Sequence, residues 1–116
     1  MRLIIAGSRT IPLSAYASIC FAITKPKKVT EVVSGCARGA DRLGERWAAE
    51  HKVPVQRFPA HWNRYGRVAG RMRNREMAKY ADCLLAIWDG ISTGTGNMIY
   101  EMRALGKPVK VVEWRS

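Results

Sequence analysis

The stretch Val33-Ser34-Gly35-Cys36-Ala37-Arg38-Gly39-Ala40-Asp41 decides the fold of this chain. A run of β-branched residues ends there in a short turn with two glycines, and a helical pattern begins directly after it. A strand that runs into a helix N-terminus leaves backbone N–H groups free, and these groups, together with the helix dipole, favour an anion. The stretch therefore predicts a strand, an anion-binding turn and a helix in direct succession.

The same arrangement occurs twice more in the chain. Leu3–Ala6 is apolar and runs into Gly7-Ser8-Arg9-Thr10, and Ala86–Trp88 runs into the Gly-, Ser- and Thr-rich segment Asp89–Asn97. Three strand-to-helix turns of this composition predict one composite site for a phosphate-bearing ligand.

Strands and helices are predicted to alternate along the whole chain. Apolar patterning predicts strands at Arg2–Gly7, Val29–Ser34, Val53–Phe58, Asp82–Trp88 and Pro108–Trp114, and helices at Leu13–Thr24, Arg38–Lys52, Met72–Tyr80 and Asn97–Leu105, with Ala60–Gly70 irregular. The second, fourth and fifth strands are nearly continuous apolar runs, which is typical of parallel strands covered on both faces. The pattern predicts a single α/β domain over residues 1–116. Its fold would be Rossmann-like, with a mainly parallel five-stranded sheet and helices on both faces.

Helical spacing also predicts which side chains these helices bury. The first helix would bury Leu13, Tyr16, Ala17 and Cys20, and the second would bury Ala40, Leu43, Trp47 and Ala48. Asn97 is predicted to be the N-cap of the last helix, and Gly106 its C-cap.

The predicted sheet also fixes where a ligand would bind. In an open parallel sheet, ligands bind outside the carboxyl ends of the strands, at the point where the strand order reverses. In the usual five-stranded order that point lies between the first and fourth strands. The three glycine-containing turns would then face one crevice.

The charge of the chain is strongly positive. It has 20 Lys and Arg against 9 Asp and Glu, a net charge of +11, and no acidic residue between Glu50 and Glu76. Such a chain attracts polyanions. Trp62 and Tyr65 lie in the same acid-free segment and could stack on bases, so a single-stranded nucleic-acid surface is one alternative to a small-anion site.

Other features of the composition exclude several classes of protein. No apolar run approaches the roughly eighteen residues that span a bilayer, and the apolar segment at the N-terminus is too short for a signal-peptide core. We therefore expect a cytoplasmic protein without a membrane partner. The three cysteines lack C-x-x-C spacing, so neither a disulfide framework nor a metal site is expected, and no cofactor is expected. Cys20 and Cys83 are predicted to lie in the core.

Five short motifs, in this order and at these spacings, resemble the SLOG superfamily. They are Gly7-Ser8-Arg9, Ser34–Asp41, Arg73-Asn74-Arg75, Ala81-Asp82 and Ser92-x-Gly94-Thr95. This superfamily joins the domains of DNA-processing protein A with the "lonely guy" phosphoribohydrolases, and the small YspA (YpsA-related) branch is the most similar part. The resemblance implies a Rossmann-like fold, a nucleotide or nucleotide-derived ligand, and a homo-oligomer.

The resemblance to the phosphoribohydrolases is incomplete. Arg73 stands nine residues before Asp82, the place of a catalytic arginine in those enzymes. They also use a Gly-Gly-x-Gly-Thr-x-x-Glu motif, of which Gly94 and Thr95 are present, but Met98 stands where the motif has Glu. Arg73 is therefore the catalytic candidate if the protein is an enzyme. The missing carboxylate disfavours N-glycosidic cleavage, with Asp41 and Asp89 as the carboxylates that could take its place.

The candidate ligand-binding residues follow from the turns and from the resemblance. They are Gly7, Ser8, Arg9, Ser34, Gly35, Ala37, Arg38, Gly39, Asp41, Trp62, Arg73, Asn74, Asp89, Gly90, Ser92, Gly94 and Thr95. The favoured hypothesis is a protein that binds a nucleotide or an ADP-ribose-like derivative as a sensor or sequestering module. A nucleotide N-glycosidase and a single-stranded nucleic-acid binder are the alternatives.

Overall fold

The computed structural model describes residues 1–115, which form one five-stranded sheet flanked by helices. The strands are β1 (Arg2–Gly7), β2 (Glu31–Ser34), β3 (Val55–Arg57), β4 (Cys83–Trp88) and β5 (Val109–Glu113). The helices are α1 (Tyr16–Ala22), α2 (Ala40–Glu50), the single turn α3 (Trp62–Tyr65), α4 (Ala69–Tyr80) and α5 (Thr93–Ala104). Short 3₁₀ turns lie at Leu13–Ala15, Pro26–Lys28 and Gly66–Val68.

The sheet is parallel throughout the described residues, with the order β3-β2-β1-β4-β5. Ile4 in the central strand pairs with Val33 of β2 on one side and with Leu84 of β4 on the other. The strand order reverses between β1 and β4. The Rossmann-like α/β class and the position of the switch point are both confirmed.

Alternate residues of the central strand face two separate hydrophobic cores. Leu3 and Ile5 lie in the core that α1 and α2 cover, where Trp47 is 1% exposed. Ile4 lies in the other core, which α4 and α5 cover with side chains that include Met102. Because β1, β2 and β4 are covered on both faces, their continuous apolar runs have a direct structural cause, whereas the edge strands β3 and β5 are only partly buried.

The predicted buried face of α1 is wrong. Ala15, Ile19 and Ala22 are buried, whereas Leu13 is 76% exposed and Cys20 is also exposed. Both stripes of this helix are apolar, so helical spacing alone could not choose between them. Cys83 is half-buried at the edge of the core on the same face of the sheet.

The last helix begins earlier than predicted. Ser92 is the N-cap of α5, so the prediction of Asn97 as the N-cap is wrong. The two glycines that suggested a loop lie inside the first turns of the helix. Gly106, with φ of +69°, directly follows the C-cap Leu105 and ends the helix in the left-handed conformation that glycine favours.

The segment predicted to be irregular is largely helical. The turn α3, the 3₁₀ turn at Gly66–Val68 and the beginning of α4 follow one another without a break. Gly70 lies under Trp62, because a Cβ at this glycine would come within 3.1 Å of the indole Cη2. No helix within residues 1–115 is long and apolar enough to cross a membrane.

Candidate functional site

The three glycine-containing turns line one cleft at the carboxyl ends of β1, β2 and β4. The cleft has a volume of about 750 Å³, within the range of pockets that hold nucleotide-sized ligands. Residues of α3 and α4 form its opposite wall, among them Trp62 and Arg73. The chain thus encloses the switch point of the sheet with the segment that connects β3 to β4.

Close backbone packing holds the first two turns together. Gly39 has φ of +73°, and a Cβ there would lie only 2.4 Å from the backbone oxygen of Ser8. At Gly7 a Cβ would lie 2.0 Å from the backbone oxygen of Ile87, which accepts a hydrogen bond from the Ser8 backbone N–H. These positions require glycine because another strand or turn occupies the space of a side chain.

Asp41 closes the second turn from the first turn of α2. Its Oδ2 accepts a hydrogen bond from the Ala37 backbone N–H at 3.1 Å, and the side chain is buried against Gly35. Arg73 reaches the same turn from α4 and donates a hydrogen bond to the backbone oxygen of Gly35. A carboxylate and a guanidinium therefore hold the Gly35–Ala37 turn from opposite sides.

Burial dominates the electrostatics of this pair. Desolvation raises the pKa of Asp41 from 3.8 to about 6, although the Ala37 hydrogen bond and the Arg73 charge act in the opposite direction. Desolvation also lowers the pKa of Arg73, against the opposing effect of Asp41. The carboxyl group of Asp41 therefore titrates closer to neutral pH than an exposed aspartate does.

Asp89 organises the third turn rather than presenting a free carboxylate. Its Oδ1 accepts hydrogen bonds from the backbone N–H groups of Ile91 at 2.9 Å and Ser92 at 2.8 Å. These hydrogen bonds lower the pKa of Asp89. The turn is an Asx turn that leads directly into α5.

The N-terminus of α5 has free hydrogen-bond donors beside the cleft. Within residues 1–115, the backbone N–H groups of Thr93, Gly94 and Thr95 have no acceptor, and the Ser92 side chain makes no cap to them. Instead, the Ser92 hydroxyl lies 3.2 Å from the hydroxyl of Thr95. All four of these residues line the cleft, so an anion there would meet unpaired N–H groups at the positive end of the helix dipole.

Asn74 joins α4 to α5 beneath the site. Its Nδ2 donates to the backbone oxygen of Gly94 at 3.2 Å and to Asn97 Oδ1 at 3.0 Å, while its Oδ1 accepts from Arg73 Nε at 3.0 Å. The side chain is buried with its hydrogen-bonding groups paired. Asn74 therefore positions both Arg73 and the N-terminus of α5.

The structure brings most of the sequence-predicted residues into this cleft. The lining residues among them are Gly7, Ser8, Arg9, Gly35, Ala37, Asp41, Trp62, Arg73, Asn74, Asp89, Ser92, Gly94 and Thr95. Arg38 lines only a smaller neighbouring cavity. Ser34, Gly39 and Gly90 line neither cavity: the Ser34 hydroxyl donates to Glu45 Oε2 at 2.7 Å, Gly39 packs against Ser8, and Gly90 makes the turn after Asp89.

Several lining residues were missed by the sequence reasoning. Arg67 and Arg71 line the cleft, as do Thr10, Thr93 and Asn97. The two arginines are four residues apart in the acid-free segment, so a helix there would have placed them on one face. That spacing could have found them, but the segment was predicted to be irregular.

The position of Met98 bears on hydrolysis. Its side chain is 2% exposed and packs in the core between the sheet and α5, while one edge reaches the cleft. Glu101 lies 3.8 Å from Arg75 Nε, outside the cleft lining. Two carboxyl groups line the cleft within residues 1–115, Asp41 and Asp89. Asp89 is engaged in its Asx turn, so Asp41 is the carboxyl group that such a turn does not engage.

The sequence of this chain is similar to one described protein family and to a phage protein. The family described as the YspA, cpYpsA-related SLOG family (YAcAr) matches residues 1–65. The Gene 61 protein of Mycobacterium phage D29 is 39% identical over 84 residues, which cover 67% of each chain.

Two solved structures share the fold. DNA processing protein A (DprA) from Streptococcus pneumoniae matches 98% of this chain with a TM-score of 0.79 and 14% identity. This chain spans only 50% of the DprA chain. TM1055 matches 93% of this chain and 71% of its own, with a TM-score of 0.69 and 24% identity. At these identities the likeness concerns the fold alone.

Proposed function

The chain belongs to the YspA, cpYpsA-related SLOG family, and from this membership we propose that it binds a nucleotide or a nucleotide-derived molecule. The observation that supports the proposal is the free N-terminus of α5 at a cleft that several arginines also line. The ligand would act as the signal for a sensor or as the cargo of a sequestering module. A cytoplasmic location and a homo-oligomer stay predictions of the sequence.

The charges of the cleft favour a phosphate group. Arg9, Arg67 and Arg71 line it and form no ion pair within residues 1–115, and guanidinium groups bind phosphate with two parallel hydrogen bonds. Both carboxyl groups of the cleft are already engaged by backbone N–H groups. Asp89 accepts hydrogen bonds within its own turn, and Asp41 accepts one from Ala37 in the second turn. The net field inside the cleft therefore attracts an anion.

An aromatic side chain stands where a base would lie. Trp62 is 47% exposed and lines the cleft from the α3 side. Its indole ring lies over Gly70, which leaves its remaining surface open to a flat partner. A phosphate at the N-terminus of α5 would use the free N–H groups, and a base against Trp62 would use the exposed aromatic ring.

A thermal-unfolding screen followed by titration calorimetry tests the proposal. The panel contains AMP, ADP, ATP, NAD and ADP-ribose, and a ligand at about 100 times its Kd adds about 2.7 kcal/mol of stability. We expect Gly94→Val to weaken binding at least about tenfold, because the new side chain would cover the free N–H groups. A Cβ at Gly94 meets no atom within 4 Å, so this variant should fold.

Ala104→Val is the matched control, since it places the same side chain on the exposed far end of α5. It should bind like the wild type. The proposal is wrong if no member of the panel stabilises the protein, or if Gly94→Val and Ala104→Val bind equally well.

Binding of single-stranded nucleic acid is the second candidate function. The observation that favours it is an exposed strip of aromatic and basic side chains on α3 and the turn after it. Tyr65 is 37% exposed beside Trp62, with the Arg64 guanidinium 5.2 Å from its ring, and Arg67 follows. Bases stack on such side chains while arginines contact the phosphates.

Fluorescence anisotropy with a short oligothymidylate separates this candidate from the first. We expect log Kd to change steeply with log salt if several phosphates are contacted. Tyr65→Ala should then weaken binding, whereas Tyr100→Ala, which removes a tyrosine of α5 that is more exposed (66% against 37%), should not. Weak binding without salt dependence, or equal effects of the two variants, would exclude a nucleic-acid surface on α3.

The phosphoribohydrolase alternative would depend on Asp41. Asp89, the other carboxyl group that lines the cleft within residues 1–115, accepts two backbone N–H groups, and the family position of the catalytic glutamate holds the buried Met98. Release of free adenine from AMP, lost in Asp41→Asn and Arg73→Gln, would establish this activity. Binding without release would support the sensor or sequestering role.

A further inference from the structure

A second, smaller cavity adjoins the cleft. Its volume is about 270 Å³, and it lies between the turn Cys36–Arg38 and the segment Pro59–Ala60. Arg9, Trp62 and Arg73 line both spaces. The two cavities are therefore compartments of one continuous site, with Trp62 at their junction.

The smaller compartment is entirely cationic in its charged lining. Arg9, Arg38 and Arg73 are its charged side chains, and no carboxylate lines it within residues 1–115. Arg73 is occupied by Gly35 and Asn74, whereas Arg9 and Arg38 form no side-chain hydrogen bond or ion pair with the described chain. Two free guanidinium groups thus border a space large enough for one further anionic group.

Two acidic side chains, Asp41 and Glu45, lie near this compartment without lining it. Glu45 accepts hydrogen bonds from Arg57 at 2.8 Å and 3.2 Å and from the Ser34 hydroxyl at 2.7 Å. Its charge is therefore neutralised by Arg57 rather than by Arg38. Arg9 and Arg38 therefore have no acidic partner among residues 1–115, whereas Arg73 lies near Asp41.

We propose that the ligand occupies both compartments and has phosphate groups at two separated positions of one nucleoside. The first phosphate would bind at the N-terminus of α5 in the large cleft. The nucleoside would stand against Trp62 at the junction, and the second phosphate would bind Arg9 and Arg38. This inference rests on the proposed function. It narrows the ligand class to nucleoside bisphosphates and to dinucleotides in which one nucleoside has phosphate on both its 3′ and its 5′ oxygen.

Calorimetry with three adenine nucleotides tests the inference. Adenosine 3′,5′-bisphosphate has its phosphates on two separate ribose oxygens, ADP has both in one chain at the 5′ oxygen, and AMP has one. At fixed ionic strength we expect the bisphosphate to bind about tenfold more tightly than AMP, because a charge-assisted hydrogen bond contributes more than a neutral one. ADP should gain less, because its second phosphate lies beside the first and adds about one negative charge, whereas the second monoester of the bisphosphate adds nearly two.

Three arginine variants with the same charge change locate the second phosphate. Arg38→Gln, which alters only the smaller compartment, should reduce bisphosphate affinity about tenfold and leave AMP affinity within about twofold. Arg71→Gln, which alters only the large cleft, should weaken both ligands. Arg42→Gln is the control, since Arg42 is exposed on α2 and lines neither cavity.

The outcomes separate the two proposals. If AMP binds but the second phosphate adds nothing, or if Arg38→Gln affects AMP, ADP and bisphosphate alike, the two-compartment inference is overturned while nucleotide binding stands. If ADP depends on Arg38 as strongly as the bisphosphate does, the phosphates are not separated by the nucleoside, and the inference is also wrong. If none of the three binds, both proposals fail for adenine nucleotides.

Discussion

Asp41 is the residue whose chemistry is most altered by the fold. Free carboxylates in the first turn of a helix are stabilised by the dipole, yet this one is only 5% exposed and its pKa is raised to about 6. The cause is desolvation, which exceeds the favourable effects of the Ala37 hydrogen bond and of Arg73. The buried carboxylate of Asp41 therefore lowers the stability of the folded chain at neutral pH.

The pH dependence of stability follows from this shift. Because the folded-state pKa of Asp41 lies above the unfolded value, its stabilising contribution is fully present below about pH 4 and is lost as the pH rises through about 6. Between about pH 5 and about pH 7.5 the loss from this group is roughly 1.5 kcal/mol. We expect Asp41→Asn to reduce this loss, since an amide oxygen still accepts the Ala37 hydrogen bond but has no charge to desolvate.

Urea unfolding of both proteins over this pH range measures the difference. Glu76→Gln is the control, because Glu76 is an exposed carboxylate on α4 without an ion pair in residues 1–115. If wild type and Asp41→Asn lose stability in parallel, Asp41 is not the group that titrates.

At the scale of elements, the sequence predicted which strands and helices exist better than it predicted their ends. α5 begins at Thr93 rather than Asn97 because Gly94 and Gly96, which patterns assign to loops, are tolerated in its first turn. Gly96 has a packing reason, since a Cβ there would lie 3.4 Å from the ring of Trp88. Such a contact between strand end and helix cannot be inferred from local spacing.

Long-range hydrogen bonds also fix helix ends that the sequence leaves open. The C-terminus of α4 is capped by Lys107, a residue from the turn before β5. Its Nζ donates to the backbone oxygens of Ala78 at 2.7 Å, Lys79 at 3.1 Å and Ala81 at 2.7 Å. An ammonium group at this position satisfies carbonyls that lack helical partners and complements the negative end of the dipole.

We expect Lys107→Met to destabilise the protein by about 1–2 kcal/mol, because the replacement keeps the apolar stem but removes three donors. Lys79→Met is the matched control: Lys79 lies in the last turn of α4, and its side chain makes no hydrogen bond within residues 1–115. Chemical denaturation measures both variants, and amide hydrogen exchange should show faster opening of the last turn of α4 only in Lys107→Met. Equal stabilities would mean that the cap contributes nothing net.

At the scale of the whole molecule, the alternation of strands and helices was sufficient to place the switch point between β1 and β4. The opposite wall of the cleft was not predictable in the same way, because it depends on how residues 58–82 fold back over the strand ends. Trp62 and Arg73 were proposed from composition and resemblance, whereas Arg67 and Arg71 enter the lining through the helical geometry of that crossover. Helical periodicity in this segment is obscured by its closely spaced arginines.

The net charge of +11 leads to a prediction that separates general from specific anion effects. Mutual repulsion of the basic residues destabilises the compact chain, so sodium chloride between about 50 and about 250 mM should raise the Tm by screening. Phosphate at equal ionic strength should raise it further by binding the cleft. Phosphate also strengthens apolar burial in any protein, so the decisive comparison is between variants of equal charge.

Arg71→Gln and Arg103→Gln provide that comparison. Both lower the net charge by one, but Arg71 lines the cleft and Arg103 is exposed near the end of α5. We expect the two variants to respond equally to chloride, and only Arg71→Gln to lose part of the additional stabilisation by phosphate, because its guanidinium would contact the bound anion. Differential scanning fluorimetry measures all four curves. Identical phosphate responses would place the stabilising anions on the general basic surface and remove the cleft as their site.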